Sequence, residues 1–390
     1  MTMATKLPVP DNMAQQHSDQ LLTLIKQKIA IEGGEISFAQ YMHLCLYTPG
    51  LGYYSAGSHK LGTGGDFTTA PEISSLFSQT LAHHINDVFS QLTEPNIIEF
   101  GAGSGKMAVD ILLELEHLNR LPANYFIIEA SADLRGRQQQ QIEAKLPHLS
   151  HVVQWLDQLP NNFIGVVLAN EVCDAMPVHR LHFSSGHIYE QVITLNSAGD
   201  LQWCDNEFLP EELLIRANEI QHFIGQQDYV TEVNLQAEAW LSSVADSLDQ
   251  GAVFIIDYGY PNISYYHPER TTGTLMCYYQ QQGHDNPFIF PGLQDITAHI
   301  DFTALAETAQ SNHLDVAGFQ TQADFLIAGG ITELVSTHAD DELKRLQQAT
   351  EIKRLTLPSE MGENFKVLTL TRQLEHLLPR IQLRDQRHRL

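Results

Sequence analysis

Residues 96–105 carry the sequence NIIEFGAGSG, and the run KMAVDILLELEHLN follows directly. The first part is an apolar run that breaks into glycines at alternate positions, and the second part has apolar residues at helical spacing. This order predicts a strand, a tight turn and a helix. Glycine suits the turn because a Cβ atom would obstruct both the sharp bend and the close approach of a ligand. The N–H groups at the start of the helix would face that ligand with partial positive charge.

A second predicted strand, YFIIEAS, ends in an acid. Glu129 stands 24 residues after Gly105, where a nucleotide fold presents a carboxylate to ribose hydroxyls. Two kinds of cofactor use this layout. Dinucleotide sites need Gly-x-Gly-x-x-Gly, but Lys106 occupies the position of the last glycine. The Glu-x-Gly-x-Gly-x-Gly spacing resembles the first motif of class I S-adenosylmethionine (AdoMet) methyltransferases, and it favours AdoMet over NAD.

The composition is strongly acidic, with 47 acidic against 22 basic residues and a formal charge of −25. Because Lys and Arg clusters bind phosphate backbones, this balance argues against nucleic acid as a partner. It suits a cationic substrate, and it equally suits an acidic surface that serves only solubility.

The cysteines and histidines predict neither disulfides nor a metal site. The four cysteines have no C-x-x-C spacing, which favours a reducing compartment without structural zinc. The close histidine pairs lack a matching second pair of ligands. No apolar stretch approaches the length of a membrane span, and the first thirty residues lack a signal-peptide core and an Arg-rich presequence.

The periodicity divides the chain into three parts. An N-terminal helical segment covers residues 1–92, an α/β domain covers 93–375, and a tail covers 376–390. The α/β domain carries insertions at about 180–230, where the pattern alternates as in a β-hairpin, and at about 261–312.

A loop rich in glycine and tyrosine covers about residues 47–69 of the N-terminal segment. Loops of this length inside compact domains are usually lids or binding loops. The alternative is a packed Ω-loop held by Tyr53 and Tyr54.

Strands that alternate with helices predict a seven-stranded, mostly parallel sheet with helices on both faces. Ligands of such sheets bind beyond the carboxyl ends of the strands. The residues that this rule assigns to the cofactor are Glu99, Gly101, Gly103, Gly105, Glu129, Trp155, Leu156 and Asn170.

The chain from about Ser37 to Thr369 resembles the MidA-like family of AdoMet-dependent methyltransferases. The resemblance rests on GDFTTAPEIS, EFGAGSG, ANEVCDAMPVHR, DYGY with GTLMCYY, PGLQDITAHIDFT and MGENFKVL. It implies a class I, Rossmann-like methyltransferase fold with a helical N-terminal elaboration, and Nω-methylation of a protein arginine. Eukaryotic members are mitochondrial complex I assembly factors, which implies a substrate beside the quinone site of the respiratory NADH dehydrogenase.

The chain departs from the eukaryotic pattern because it shows no presequence. This favours a bacterial, cytoplasmic member, with the mitochondrial matrix as the location only if a presequence is missing from this chain. We expect a protein substrate with a target arginine and no membrane insertion. The target arginine, the number of methyl groups and the oligomeric state stay open, with a dimer as one option.

Arginine is a poor nucleophile because its pKa exceeds about 12 and its guanidinium has no free nitrogen lone pair. Carboxylates that bind it bidentately fix its orientation and localise its charge away from the attacking nitrogen. The first candidates are Glu171 and Asp174, after the fourth strand, followed by Asp66 in the loop and Asp257. A carboxylate that ends a buried strand needs a partner, which favours a functional role for Glu171. Asp174 could equally cap a following helix, and Tyr258 could face the sulfonium or only pack.

Two other functions remain compatible with these residues. One is an AdoMet-fold chaperone that holds an assembly subunit without turnover, and the other is an NAD-dependent oxidoreductase.

Overall fold

The computed structural model describes residues 7–56, 68–225, 227–335 and 342–390. Residues 57–67 of the predicted loop, including the candidate Asp66, therefore lie outside the described residues. The chain forms two compact units, each built from separate segments. The insertion unit consists of Met1–Phe67, Asp174–Ala237 and Ile263–His299, and the sheet unit consists of Thr68–Cys173, Glu238–Asn262 and Ile300–Leu390.

The described residues form α-helices and β-strands in a mixed order along the chain. The helices are α1 (Asn12–Ile31), α2 (Phe38–Tyr47), α3 (Ala70–Ile73), α4 (Ser75–Phe89), α5 (Lys106–His117), α6 (Ala132–Lys145), α7 (Glu211–Ile224), α8 (Leu235–Ser247), α9 (Asn262–Tyr265), α10 (Phe302–Ser311), α11 (Gln322–Ala328), α12 (Glu342–Thr356), α13 (Met361–Asn364) and α14 (Pro379–Gln382). The strands are β1 (Glu35–Ser37), β2 (Asn96–Phe100), β3 (Tyr125–Ile128), β4 (Val153–Leu156), β5 (Phe163–Asn170), β6 (His179–Ser184), β7 (His187–Leu195), β8 (Leu201–Asn206), β9 (Tyr229–Val233), β10 (Leu248–Tyr260), β11 (Met276–Tyr279), β12 (Gln282–His284), β13 (Asp295–Thr297), β14 (Ile300–Asp301), β15 (Asp315–Thr321) and β16 (Phe365–Arg372).

The sheet unit is built on strands in the order β15-β16-β10-β5-β2-β3-β4, with β14 beside the end of β10. Strands β10, β5, β2, β3 and β4 pair in parallel, whereas β16 is antiparallel to both of its neighbours. This mostly parallel α/β sheet confirms the predicted fold class. Because the parallel strands all end at one edge, the turns that follow β2, β3, β4 and β5 lie along the same side of the sheet.

Helices α4 and α5 cover part of this sheet with fully buried side chains. Leu81 and Ile85 of α4, and Ile111 and Leu115 of α5, belong to one hydrophobic cluster with residues of the strands and are 0% exposed. Burial of such a side chain contributes about 1.5–3 kcal/mol. This packing fixes the position at which α5 begins, and therefore the position of the glycine turn before it.

The insertion unit contains an antiparallel sheet in the order β1-β7-β6-β9, with β8 also paired to β7. The predicted β-hairpin is confirmed by β6 and β7. Ser185 and Gly186 join these strands with φ angles of 52° and 81°, as a tight two-residue hairpin turn requires. Helices α1 and α2 contribute buried Leu21, Ile25 and Tyr41 to the core of this unit.

Residues 376–390, for which the sequence predicts a tail, lie against β15 in the structure. The Leu378 and Ile381 side chains are 3% and 1% exposed. The Gln386 N–H donates to the Phe319 carbonyl at 2.7 Å, and an Arg387 guanidinium N–H donates to the Val316 carbonyl at 2.8 Å. The arginines of this segment have partners in the fold: Arg387 binds a backbone carbonyl, whereas Arg380 and Arg384 pair with the Asp87 and Asp324 carboxylates.

Candidate cofactor and substrate site

The glycine turn connects β2 to α5 at the carboxyl edge of the sheet. Gly101, Gly103 and Gly105 have φ angles of 60°, 55° and 83°, a region that other L-residues rarely adopt. A Cβ atom on Gly101 would lie 3.3 Å from the Val172 Cγ2 atom. The turn therefore needs glycine for its conformation, and at Gly101 also for its close packing.

Two N–H groups of the turn, at Gly103 and Ser104, are open in the described part of the chain. The Gly101 N–H donates to the Ile128 carbonyl at 3.0 Å. Among the described residues, no oxygen accepts a hydrogen bond from the N–H of Gly103 or Ser104. Such N–H groups before a helix suit an anionic group of a ligand.

Glu129 follows β3 and is held beside the turn by hydrogen bonds. Its Oε1 atom accepts from the Ser131 N–H at 2.9 Å, and its Oε2 atom accepts from Gln138 Nε2 at 3.0 Å. Burial raises the pKa of this carboxyl, and these hydrogen bonds act in the opposite direction. Each carboxylate oxygen has a second lone pair, so Glu129 retains the capacity to accept further hydrogen bonds.

Gln138 on α6 connects three parts of this edge. Its Nε2 atom also donates to the Gly103 carbonyl at 3.1 Å, and its Oε1 atom accepts from Trp155 Nε1 at 2.9 Å. The sequence pattern does not mark this residue, because it lies in a run of four glutamines on a mostly polar helix, although its side chain is 0% exposed.

Glu99 lies inside the sheet unit, with 1% of its surface exposed. Burial raises the pKa of this carboxyl to about 7, although a hydrogen bond from Tyr125 acts against burial, and the charge of Glu129 adds to the increase. The Tyr125 hydroxyl donates to Glu99 Oε2 at 2.6 Å. Glu99 therefore takes up a proton near neutral pH.

We expect Glu99→Gln to change the pH dependence of stability. The pKa of Glu99 is raised in the folded state, so burial of its charge costs stability as pH rises from the unfolded pKa through about 7. Between pH 5 and pH 8 the wild type should lose about 2 kcal/mol more unfolding free energy than the variant. Urea unfolding of both proteins at the two pH values measures this difference. If the unfolding free energies of the two proteins change equally with pH, the Glu99 carboxyl is not protonated in the folded state.

Trp155, Leu156 and Asn170 lie at the ends of β4 and β5, along the same edge. The Leu156 carbonyl accepts from an Arg135 guanidinium N–H at 3.5 Å. The Asn170 Nδ2 atom donates to Glu171 Oε1 at 3.4 Å. The Asn170 Oδ1 atom is buried and accepts no hydrogen bond from the described residues.

Glu171 follows β5 in a left-handed conformation, with a φ angle of 53°. A non-glycine residue in this region carries a cost of roughly 1–3 kcal/mol, and such residues cluster at functional sites. Its N–H donates to the Ile256 carbonyl at 2.9 Å. Its Oε1 atom accepts from the Ala70 N–H at 3.4 Å, at the start of α3. The structure thus aims this carboxylate across the edge, between β5 and α3.

Asp257 and Tyr258 have structural contacts. Asp257 is 0% exposed, and its two carboxylate oxygens accept from the N–H groups of Cys173 at 3.1 Å and Tyr258 at 2.9 Å. The Tyr258 ring packs edge-on against Phe365, with centroids 5.4 Å apart. These contacts support the packing interpretation of Tyr258.

Asp174 belongs to the insertion unit. It is 5% exposed, and its carbonyl accepts from the Ala298 N–H at 3.1 Å. The next element along the chain is strand β6, so the helix-capping interpretation of Asp174 is wrong.

Neither a metal nor a membrane span is found in the described residues. No group of three or more His, Cys, Asp and Glu side chains there could hold a metal ion. None of the helices that the structure describes is both long and apolar enough to cross a bilayer.

A sheet of this order, with antiparallel β16 between β15 and β10, is typical of class I AdoMet-dependent methyltransferases. The glycine turn after β2 and the carboxylate after β3 lie where such a sheet binds a nucleotide cofactor. The model of the family described as "Putative S-adenosyl-L-methionine-dependent methyltransferase" matches residues 80–320, and the chain belongs to that family. The AdoMet prediction is confirmed, and the protein is a methyltransferase rather than an NAD enzyme.

Solved structures and curated relatives agree with this assignment. A protein from Burkholderia thailandensis, crystallised with S-adenosyl-homocysteine (AdoHcy) bound, is 39% identical with a TM-score of 0.94, over 99% of this chain and 100% of that one. The protein arginine methyltransferase NDUFAF7 homolog of Drosophila melanogaster, named mitochondrial, is 27% identical over 93% of this chain and 87% of its own length. Protein arginine methyltransferase NDUFAF7 of Danio rerio, also named mitochondrial, is 26% identical over 87% of this chain and 84% of its own.

Proposed function

We propose that this methyltransferase transfers the methyl group of AdoMet to an arginine side chain of a protein substrate. The observation that carries the proposal is the Glu171 carboxylate, which a left-handed backbone presents at the carboxyl edge where AdoMet enzymes bind their cofactor. The names of the fly and zebrafish relatives support arginine as the acceptor. The formal charge of −25 is compatible with a cationic target.

The cofactor residues follow from the geometry of the glycine turn. We assign the amino-acid end of AdoMet to Gly101 and Gly103, where side chains would collide with it. We also assign to cofactor binding four residues along the same edge of the sheet: Gly105, Trp155, Leu156 and Asn170. Glu129 is assigned to the ribose hydroxyls. The open N–H groups of Gly103 and Ser104 fit the carboxylate of the cofactor.

Glu129→Ala should weaken AdoMet binding at least tenfold. Two charge-assisted hydrogen bonds to the ribose contribute about 1.5–3 kcal/mol each. Burial raises the pKa of Glu129, so this carboxylate is protonated at a higher pH than an ordinary one as the pH is lowered. The affinity of the wild type for AdoMet should therefore begin to fall at that higher pH, and the affinity of the variant should lack this pH dependence. Calorimetry with AdoMet and with its 2′-deoxy analogue measures both effects. Equal wild-type affinity for the two ligands would exclude the ribose contact.

The chain's residues have to align the acceptor rather than perform acid–base chemistry on the donor. When bound, AdoMet would supply an electrophilic methyl group on a sulfonium for an in-line displacement. The nitrogen–methyl bond forms as the sulfur–methyl bond breaks, AdoHcy leaves as a neutral thioether, and the methylated guanidinium releases one N–H proton to solvent. Glu171 would hold the guanidinium and draw its positive charge away from the attacking nitrogen.

Incubation of the full chain with AdoMet labelled on the methyl carbon and with cell extract tests the proposal. A labelled protein band that disappears when AdoHcy is added as a competitor supports it. AdoMet binding without a labelled protein would support the chaperone alternative. Purified respiratory NADH dehydrogenase is the first defined substrate to test, because the resemblance to the MidA-like family implies one of its subunits.

A further inference from the structure

Helix α3 is attached to the cofactor edge at two points. Its first residue, Ala70, donates its N–H to Glu171 Oε1 at 3.4 Å. Two residues further on, the Glu72 carboxylate accepts a short hydrogen bond from the Ser104 hydroxyl, inside the glycine turn. Ala70 is 0% exposed and belongs to the hydrophobic cluster of the sheet unit, so its packing holds α3 in place. The glycine turn and the end of β5 are therefore bridged by one short helix.

The negative charge of Glu72 has no cationic partner in the described part of the chain. Ser104, a neutral hydroxyl, is its hydrogen-bond partner there. The nearby Lys106 ammonium is already paired with the Asp110 carboxylate at 2.6 Å. Burial raises the pKa of Asp110, the pairing with Lys106 opposes this, and the charge of Glu72 adds to the increase. The Glu72 carboxylate thus lies half-buried at the turn, without a cationic partner among the described residues.

The amino-acid end of AdoMet carries one carboxylate and one ammonium group. The open N–H groups of Gly103 and Ser104 suit the carboxylate. They cannot bind the ammonium, which needs acceptors. Glu72 supplies an anionic acceptor, attached to the same turn through Ser104.

We propose that Glu72 binds the α-ammonium group of AdoMet and so selects a cofactor with an intact amino-acid end. This inference rests on the proposed placement of AdoMet at the glycine turn. Methyl transfer itself is unaffected by the contact, since the ammonium takes no part in the displacement. The role of Glu72 is to recognise the donor and its product.

Calorimetry with two ligands tests the contact without any catalytic turnover. One ligand is AdoHcy, and the other is its desamino analogue, in which hydrogen replaces the α-amino group and the carboxylate is kept. Loss of one charge-assisted hydrogen bond predicts that the wild type binds AdoHcy about tenfold or more tightly than the analogue. In Glu72→Gln this preference should shrink to about twofold. The variant should bind AdoHcy more weakly than the wild type does, and its affinity for the desamino analogue should be unchanged.

Glu114→Gln is the matched control. Glu114 lies on α5 and pairs with His83 at 3.1 Å, away from the glycine turn, so this variant should keep the full preference for AdoHcy. If Glu72→Gln lowers the affinity for AdoHcy and for the desamino analogue equally, Glu72 only stabilises the glycine turn, and the inference is wrong. Failure of the wild type to bind either ligand would instead overturn the proposed cofactor site.

Discussion

Gly103→Val is expected to abolish AdoMet binding while the protein stays folded. Gly103 has a φ angle of 55°, and its open N–H lies at the site assigned to the amino-acid end of the cofactor. A β-branched side chain there would occupy the ligand's volume and would pull the backbone out of the left-handed region. Calorimetry should detect no binding at AdoMet concentrations that saturate the wild type.

Gly199→Val separates backbone strain from ligand exclusion. Gly199 has a φ angle of 84°, and nothing lies within 4 Å of a Cβ atom placed on it. Its side chain would therefore add strain of roughly 1–3 kcal/mol without filling a binding site. This control should melt earlier than the wild type but bind AdoMet normally. Unchanged affinity in Gly103→Val, with an unchanged melting curve, would remove the glycine turn from the cofactor assignment.

Glu171→Gln is expected to keep AdoMet affinity within a few-fold and to lower methyl transfer by about 10²-fold or more, the range for loss of a positioned polar group. The amide can still accept the weak hydrogen bond from the Ala70 N–H, so the local structure should survive. The neutral side chain no longer draws charge from the guanidinium. Affinity for the protein substrate should fall as well, because its cation loses a partner.

Single-turnover transfer and donor affinity should be measured on the same preparation of Glu171→Gln. Glu94→Gln is a suitable control, since Glu94 also has a left-handed backbone, with a φ angle of 48°, but precedes β2 and lies at its opposite end. That variant should transfer at the wild-type rate. If Glu171→Gln transfers the methyl group at the wild-type rate, Glu171 has only a structural role. If the variant loses both methyl transfer and AdoMet affinity, Glu171 belongs to the cofactor site.

Local sequence patterns predicted the parts of this protein that depend on local physics. The strand, glycine turn and helix of residues 96–117 follow from periodicity and from the need for positive φ angles. The unbroken apolar run of β5 identified a strand buried at the centre of the sheet. The position of Glu129 followed because parallel strands end at one edge.

The remaining features depend on contacts between residues far apart in the chain, which periodicity does not encode. Gln138 looks like any other residue of a mostly polar helix, although its side chain connects Glu129, Gly103 and Trp155. Glu72 looks like an ordinary acid of a first helical turn until Ser104 is found beside it.

Asp174 follows Glu171 by three residues in the sequence, yet the chain passes from the sheet unit to the insertion unit between them. The prediction that both carboxylates bind the guanidinium came from their position after one strand, and for Asp174 it stays a prediction. The boundary between compact units depends on the three separate segments that form the insertion unit, and no local pattern marks it.

The identity of the labelled residue shows directly whether the methyl group is transferred to arginine. The labelled protein product should be hydrolysed to amino acids and separated against standards of methylated arginine, lysine and histidine. All of the label is predicted to elute with methylated arginine, and Glu171→Gln should incorporate it about 10²-fold more slowly than the wild type in a single turnover. Label on lysine, histidine or a base-labile ester would show that arginine is not the acceptor.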